Sequence, residues 1–308
     1  MPLNKDEWQE ILKGRFLGDI EPEVSMKNHT SLEIGGNADI MLAPEDPLSL
    51  RNLMVILGNK GIPFLSIGRG TNILVRDKGL AGAVISLKAF RRIEALKEGN
   101  SYAELFVEAG VPLQMLVNFC KEKGYSGLEG LTGIPGTVGG AIKGNAGSYG
   151  CEIKDVLVSV AIMDSNSRLD RFKAEGLGFG YRRSEIADGD IILSANIKLK
   201  RDEKEKVAAN TDKYFAEKKQ KQPISEKSAG CVFKNPKDAL AGLLIDEAGC
   251  KGMRIGGIEV SSVHANFFIN KAGGTASDFI NLMDEVASAV NKKFNILLEP
   301  EIRIVGKK

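Results

Sequence analysis

The chain has 308 residues, 43% hydrophobic and 27% charged, with 42 lysines and arginines against 40 aspartates and glutamates for a net charge of +2. That is enough apolar material for a real core and enough length for about two domains. The balanced charge excludes a strong general attraction to polyanions such as nucleic acid, and no run of about 18 apolar residues offers a membrane span.

Cys120, Cys151, Cys231 and Cys250 form no CxxC pair, and the two histidines, His29 and His264, lie far apart. No metal site is expected from such spacing, and no disulfide framework in so long a chain. The start, Met1 to Glu7, is charged and lacks the apolar region of a signal peptide, so a cytoplasmic location is expected. The compositional anomaly is 35 glycines, clustered in 124–150 and 249–257.

In chain order, residues 6–17 predict an amphipathic helix, broken at Glu21-Pro22. Ala38–Ala43 predicts a strand, and a helix runs from Asp46 or Pro47 to about Asn59. Ile62–Ile67 predicts a strand ending in the turn Gly68-Arg69-Gly70-Thr71-Asn72. Short strands follow at 72–75, 82–87, 91–96 and 102–109. Pro112 suits the first position of a helix over 112–123. After the glycine-rich 126–150, strands are expected at 153–163, 167–172 and 190–200.

The charge run Lys200 to Lys206 marks a boundary to a C-terminal domain. Beyond it come helices over 205–219, 237–248 and 276–293, the last capped by Thr275. Phe279, Leu282, Met283, Val286 and Val290 make one apolar stripe on it. Glu301–Val305 closes the chain as a strand. Over the stretch up to residue 123, alternation of one helix with several short strands points to an α+β arrangement more than to a regular βαβ repeat.

Several segments carry possible chemistry. The Gly68–Asn72 turn can converge backbone N–H groups on an anion, but it matches neither GxGxxG nor a Walker loop and equally suits a plain hairpin. Gly130 to Gly147 holds seven glycines in eighteen residues. That is costly to order unless the backbone wraps a large planar or diphosphate group, with a helix start near Gly136-Thr137 turned toward phosphate. Gly180-Tyr181-Arg182-Arg183 offers an arginine fork for a carboxylate or phosphate, or an ordinary surface loop.

Ser228-Ala229-Gly230-Cys231-Val232-Phe233-Lys234-Asn235-Pro236 places a thiol, a cation and a carboxamide close together. Read as a strand, it points Cys231, Phe233 and Asn235 to one face. The alternative is a small buried core cysteine. Glu299-Pro300-Glu301 enters the last strand with a carboxylate that either faces a site or simply meets solvent. His264 reads as a satisfied structural histidine.

Taken together, and in order, these segments resemble the UDP-N-acetylenolpyruvoylglucosamine reductase family. The pieces are Asn28-His29-Thr30, Gly68-Arg69-Gly70-Thr71-Asn72, Gly133-Ile134-Pro135-Gly136-Thr137-Val138-Gly139-Gly140, Asn145-Ala146-Gly147, Tyr181-Arg182, Lys221-Gln222-Pro223, Ser228–Pro236, Arg254-Ile255-Gly256-Gly257, His264–Phe267 and Glu299-Pro300-Glu301. The resemblance spans about residues 26–306. It implies an α+β FAD-binding fold of the vanillyl-alcohol oxidase type. Residues 1–203 would form the FAD-binding domain, in two subdomains of about 1–88 and 89–203, and 204–308 a smaller α/β substrate domain. The short stretch between Tyr181-Arg182 and Lys221 implies the shorter, type II form.

The same resemblance implies a cytoplasmic, monomeric oxidoreductase of peptidoglycan precursor synthesis, and so of cell wall biogenesis, cell shape and division. NADPH would reduce FAD; hydride from flavin N5 would reach C3 of the enolpyruvyl ether, and a proton C2. The glycine, Ile134, Pro135, Thr137, Asn145 and Ala146 positions of the first two motifs, with Arg69, Thr71 and Asn72, would hold FAD. Lys221 and Asn235 would hold the nucleotide sugar. Arg182 would stabilise the charge developing on the substrate carboxylate, with Glu301 as its hydrogen-bonding partner.

The proton donor position falls on Cys231, where many members carry serine. A thiol, with an ordinary pKa of about 8.5, is protonated at neutral pH and is a stronger acid than a hydroxyl. The chain departs from the family at Arg183, where aspartate is usual, and at Lys143-Gly144, where a bulkier residue is common. Two rival readings are a flavin oxidase of the same fold and a nucleotide-binding module without turnover. The first would not need NADPH; the second would tolerate changes at Cys231, Arg182 and Glu301.

Overall fold

A computed structural model describes residues 5–308; Met1–Asn4, the beginning of the charged start discussed above, lie outside the described residues. Two compact units emerge. The first comprises residues up to Pro22, Ile40–Gly68 and Gly82–Glu217, and the second Glu23–Asp39, Arg69–Ala81 and Lys218–Lys308.

The first unit carries an antiparallel sheet of strands Leu169–Lys173, Leu157–Met163, Ile191–Arg201, Tyr102–Glu108 and Ile93–Glu98, in that spatial order. Alternation along Tyr102–Glu108 buries Ala103, Leu105 and Val107 and turns Tyr102, Glu104, Phe106 and Glu108 outward, as a half-buried strand must. A second sheet is ordered Gly18–Ser25, Asn37–Pro44, Leu80–Ser86, Phe64–Ile67, with its last two strands parallel.

The helices are α1 (Lys5–Leu12), α2 (Pro47–Lys60), α3 (Leu113–Lys123), α4 (Val138–Lys143) and, for most of its length, α5 (Lys204–Lys221). In α2, Asp46 caps the Ser49 amide at 2.7 Å and Gly61 ends the helix at φ 62°. These are the start and stop chemistry that the local sequence carries.

The second unit holds α6 (Ala241–Glu247), α7 (Ala276–Phe294) and an antiparallel sheet ordered Ser228–Cys231, Phe267–Asn270, Ile258–Val260, Arg254–Ile255. The predicted stripe on α7 is buried in full, against Phe268, Val260 and Ile302 among others. Thr275 and Asp278 form a reciprocal capping box at 3.0 and 2.9 Å, worth about 1 kcal/mol. Arg303–Val305 pairs in parallel with Ile73–Val75.

Several expectations shift. The first helix stops at Leu12, with Gly14 at φ 67°, and Gly18–Ser25 is a strand running through Glu21-Pro22. Pro112 sits at the N-cap, one place before α3. Ile153–Val156 is a 3-10 turn ahead of the strand Leu157–Met163. The charge run at 200–206 opens α5 without leaving the first unit. Val207 and Thr211 are buried, and Lys121 pairs with Asp212 at 2.5 Å, so the change of unit comes at 217/218. No helix among the described residues is long and apolar enough to cross a membrane.

Candidate active site

In the first unit, the glycine-rich segment is stitched to its surroundings through its backbone. Gly133 N donates to Gln114 Oε1 at 2.7 Å, and Leu113 N to the Gly136 carbonyl at 3.1 Å. Thr137 is the N-cap of α4, accepting from Gly140 N at 3.4 Å. The first amides of that short helix turn inward: Val138 N and Gly139 N each lie 2.9 Å from a carbonyl, those of Val111 and Ala109. The expected phosphate-facing helix start therefore spends these donors within the chain.

Gly68 meets this segment directly, since a Cβ there would lie 2.5 Å from Thr137 Oγ1. The two glycine motifs are thus brought together at Gly68 and Thr137, with Gly68, Pro135 and Gly140 exposed. The lack of a side chain at Gly68, where one would meet Thr137, leaves exposed backbone that fits the close approach of FAD.

Asn145 is fully buried in a left-handed conformation, φ 43°. Its Nδ2 donates to the Gly180 carbonyl at 2.9 Å and its Oδ1 accepts from Lys154 N at 3.4 Å. Arg182 is also left-handed, φ 54°, and its Nη2 donates to the Gly147 carbonyl at 2.7 Å. Sequence reasoning placed Asn145 and Arg182 in separate motifs; the fold joins them.

The two departures from the family pattern serve the same loop. Lys143 Nζ bonds the Ile186 carbonyl and pairs with Asp188 at 3.3 Å, while Ser184 Oγ donates to the Lys143 carbonyl at 2.8 Å. The Arg183 side chain packs over Gly180, where a Cβ would fall 2.6 Å from its Nε.

Two tyrosines were not singled out in the sequence. Tyr149, at φ 52°, stacks on Tyr214 of α5 with centroids 4.6 Å apart and rings 18° from parallel. They line a cavity of about 290 Å³ with Gly127, Glu129, Gly130 and Cys151. The Cys151 thiol donates to the Gly127 carbonyl at 2.9 Å, and burial pushes its pKa up to about 11, so it is held as an inert thiol. Only helical spacing could have hinted at Tyr214.

In the second unit, the Arg69–Asn72 turn is locked by Gly70, at φ 60°, where a Cβ would stand 2.1 Å from the His29 carbonyl oxygen. Ser31, another residue the motif reading passed over, ties this turn to the opening of the Cys231 strand. Its amide donates to the Gly70 carbonyl at 3.1 Å and its hydroxyl to the Ser228 carbonyl at 2.6 Å.

The strand reading of 228–236 is corrected. Ser228 pairs with Ile269 and Cys231 with Phe267, so one extra residue bulges before Cys231, with Gly230 at φ 78°. The strand ends at Cys231. Phe233 is core, whereas Asn235 is exposed and accepts from Ala241 N at 3.0 Å at the start of α6. Alternation does not carry through to Asn235, because the strand ends at Cys231 and the chain beyond it is no longer extended in a sheet.

What the fold does bring together are Cys231 and Glu301. Glu301 N donates to the Val232 carbonyl at 2.8 Å, and Lys234 N to the Glu299 carbonyl at 2.8 Å, so 231–234 and 299–301 run side by side. Asn266 clamps Phe233 by its amide at 2.9 Å and its carbonyl at 2.7 Å. Asn72 joins the same place, its Nδ2 donating to the Glu301 carbonyl at 3.3 Å. Cys231 and Glu301 are both half-buried. Lys221 is exposed at the end of α5. Arg182 belongs to the first unit and Cys231 and Glu301 to the second.

Comparison with known proteins converges on one family. Residues 38–172 match the FAD binding domain family, and residues 222–305 the C-terminal domain of UDP-N-acetylenolpyruvoylglucosamine reductase. The chain is 44% identical to the UDP-N-acetylenolpyruvoylglucosamine reductase of Pelobacter propionicus, over 96% of this chain and 97% of that one. It is 39% identical to that of Geotalea uraniireducens, over 98% and 99%. The crystal structure of the Thermus caldophilus reductase superposes with a TM-score of 0.81 at 34% identity, covering 94% of this chain and all of that one. The α+β FAD-binding fold expected from the sequence is the one found, and the chain belongs to the UDP-N-acetylenolpyruvoylglucosamine reductase family of FAD-dependent oxidoreductases.

Proposed function

We propose that the chain, as the shorter type II form, reduces the enolpyruvyl ether of UDP-N-acetylglucosamine to UDP-N-acetylmuramate in the cytoplasm, with NADPH as the reductant, in peptidoglycan precursor synthesis. The observation that carries this reading is the pairing of the Cys231 segment with the Glu301 segment in the second unit. When bound, FAD would supply two-electron hydride chemistry between NADPH and C3 of the substrate. The first unit, through the Gly68 and Gly133–Gly147 backbone, would hold it. The second unit would hold the nucleotide sugar, through Lys221 and the Asn235 carboxamide.

Arg182 supplies a fixed positive charge for the substrate carboxylate, whose negative charge grows once C3 has gained hydride. Cys231 holds a proton on Sγ and gives it to C2, so that hydride and proton together saturate the double bond. The thiolate left behind regains its proton from water. Glu301, on the segment that runs beside Cys231, would serve the same step with its carboxyl group. Cysteine at this position is a better proton donor than serine.

The test is direct. The purified protein should be yellow and should oxidise NADPH only when the enolpyruvyl nucleotide sugar is present. A colourless protein that cannot be reconstituted with FAD, or NADPH oxidation indifferent to that substrate, overturns the reading.

A further inference from the structure

The geometry points to Asn145 as a positioning residue for Arg182, serving the step in which the enolpyruvyl substrate is reduced and not the step in which FAD is; this rests on the function proposed above. Asn145 has no exposed surface, and both polar atoms of its side chain are bonded within the first unit. Its carboxamide is therefore turned away from any ligand. What it grips is the Gly180 carbonyl at 2.9 Å.

Gly180 is the hinge of a tight turn. Gly180 N donates to the Arg183 carbonyl at 3.0 Å and Arg183 N to the Gly180 carbonyl at 3.3 Å, which closes a two-residue loop of Tyr181 and Arg182. Arg182 occupies that loop in the left-handed region, which an L side chain holds only when its surroundings insist. The guanidinium then returns to the Gly147 carbonyl at 2.7 Å, two residues from Asn145. A ring is completed: Asn145 to Gly180, through the turn to Arg182, and back to Gly147.

The ring has little slack. A Cβ on Gly147 would lie 3.2 Å from Arg182 Nη1 and 2.8 Å from Glu152 Cγ. Loss of the Asn145 donor leaves the turn held by its own two bonds, so that the Arg182 backbone can shift and carry the guanidinium away from its place at the Gly147 carbonyl. A misplacement of about 1 Å at a charge-stabilising group costs on the order of 100-fold in rate. Hydride transfer from NADPH builds no charge on the substrate carboxylate, so it depends less on where Arg182 sits.

Two variants separate the donor from the backbone. Asn145→Gly keeps the left-handed freedom and removes the side chain; Asn145→Asp keeps the shape and removes the donor, and carries the test if the glycine variant fails to fold. In the [15N]arginine-labelled holoenzyme, the Arg182 guanidinium signal, assigned by its loss in Arg182→Lys, should shift or broaden in each variant. Single-turnover reduction of the substrate should slow by about 30-fold, between roughly 10- and 100-fold. Reduction of the flavin by NADPH should slow clearly less than reduction of the substrate, although Asn145 lies in the segment whose backbone would hold FAD. In an Arg182→Lys background, Asn145→Gly should add less than about threefold, because the two residues act as one unit.

An unmoved Arg182 signal overturns the inference, as does an equal slowing of both half-reactions or a full multiplicative effect in the double variant. If the unsubstituted enzyme reduces no enolpyruvyl substrate, the proposed function fails on its own, and the Arg182 signal still decides the inference.

Discussion

In the first unit, the candidate residues are held by strained backbone. Asn145, Tyr149 and Arg182 all have positive φ, at 43°, 52° and 54°, and side-chain bonds lock two of them together. In the second, Cys231 and Glu301 sit on extensions of ordinary strands, pinned by carbonyls and by the Asn266 clamp. Left-handed conformations cost about 1–3 kcal/mol each, whereas strand pairing follows from the sheet itself. The first arrangement rests on left-handed residues held by side-chain bonds; the second rests on strand pairing, with one glycine at a bulge and one asparagine clamp.

The largest expected effect tests the second arrangement. Cys231→Ala should lower the single-turnover rate of substrate reduction by about 10²- to 10⁴-fold, the usual value of a positioned acid. Cys231→Ser should keep part of the rate, and flavin reduction by NADPH should stay unchanged in both. Stopped-flow absorbance at the flavin bands reads all three. Full substrate turnover in the alanine variant would remove Cys231 as donor.

Next comes a pair of glycines, one from each unit, with similar backbone and different surroundings. Gly70 in the second unit has φ 60° and a carbonyl oxygen 2.1 Å from the position of a Cβ; Gly150 in the first has φ 73° and nothing within 4 Å. Gly150→Ala should cost only the left-handed penalty, about 1–2 kcal/mol. Gly70→Ala should cost about 2 kcal/mol more, since backbone must move. Urea midpoints of the two variants measure the gap. Equal losses would mean that packing around Gly70 yields freely.

The sequence made some of this legible and hid the rest for physical reasons. Helix starts were readable where caps are local, as at Asp46 and Thr275, and the α7 stripe was readable because periodicity records burial. Near-full-length relatives bear out the family reading. The bulge before Cys231 was not legible, because an extra residue leaves no mark in a four-residue strand; nor was the end of that strand at Cys231, which undid the inference that Cys231 and Asn235 share a face. Nor was the Asn145–Gly180 contact, which joins positions 35 apart in the chain. Ser31 and Tyr214 gain meaning only from partners far along the sequence, Ser228 and Tyr149.

The smallest effect follows from where the histidines lie. Both, His29 and His264, belong to the second unit. Burial holds the His264 imidazole below its ordinary pKa of 6.5, and the Lys251 charge adds to this. A lowered folded pKa means that the unfolded chain binds the proton more readily. Stability from this group is therefore complete above about pH 6.5 and is lost as pH falls through the lower folded value, with a slope of at most about 1.4 kcal/mol per pH unit.

The loss should have a local consequence as well. His264 Nδ1 accepts from Asn266 N at 3.2 Å, and a protonated ring gives up that acceptor. Asn266 is the clamp on Phe233, two residues from Cys231. Acidification should thus loosen the segment carrying the proposed proton donor while the left-handed cluster of the first unit stays intact. Hydrogen exchange at pH 7.0 and 5.5 can read this, with faster exchange at Val232 and Phe233 and little change beyond the intrinsic rate at Ala146 and Arg183. His264→Gln should remove the difference. If the first unit loosened equally in acid, the contrast between a strain-held cluster in one unit and a sheet-held cluster in the other would have to be abandoned.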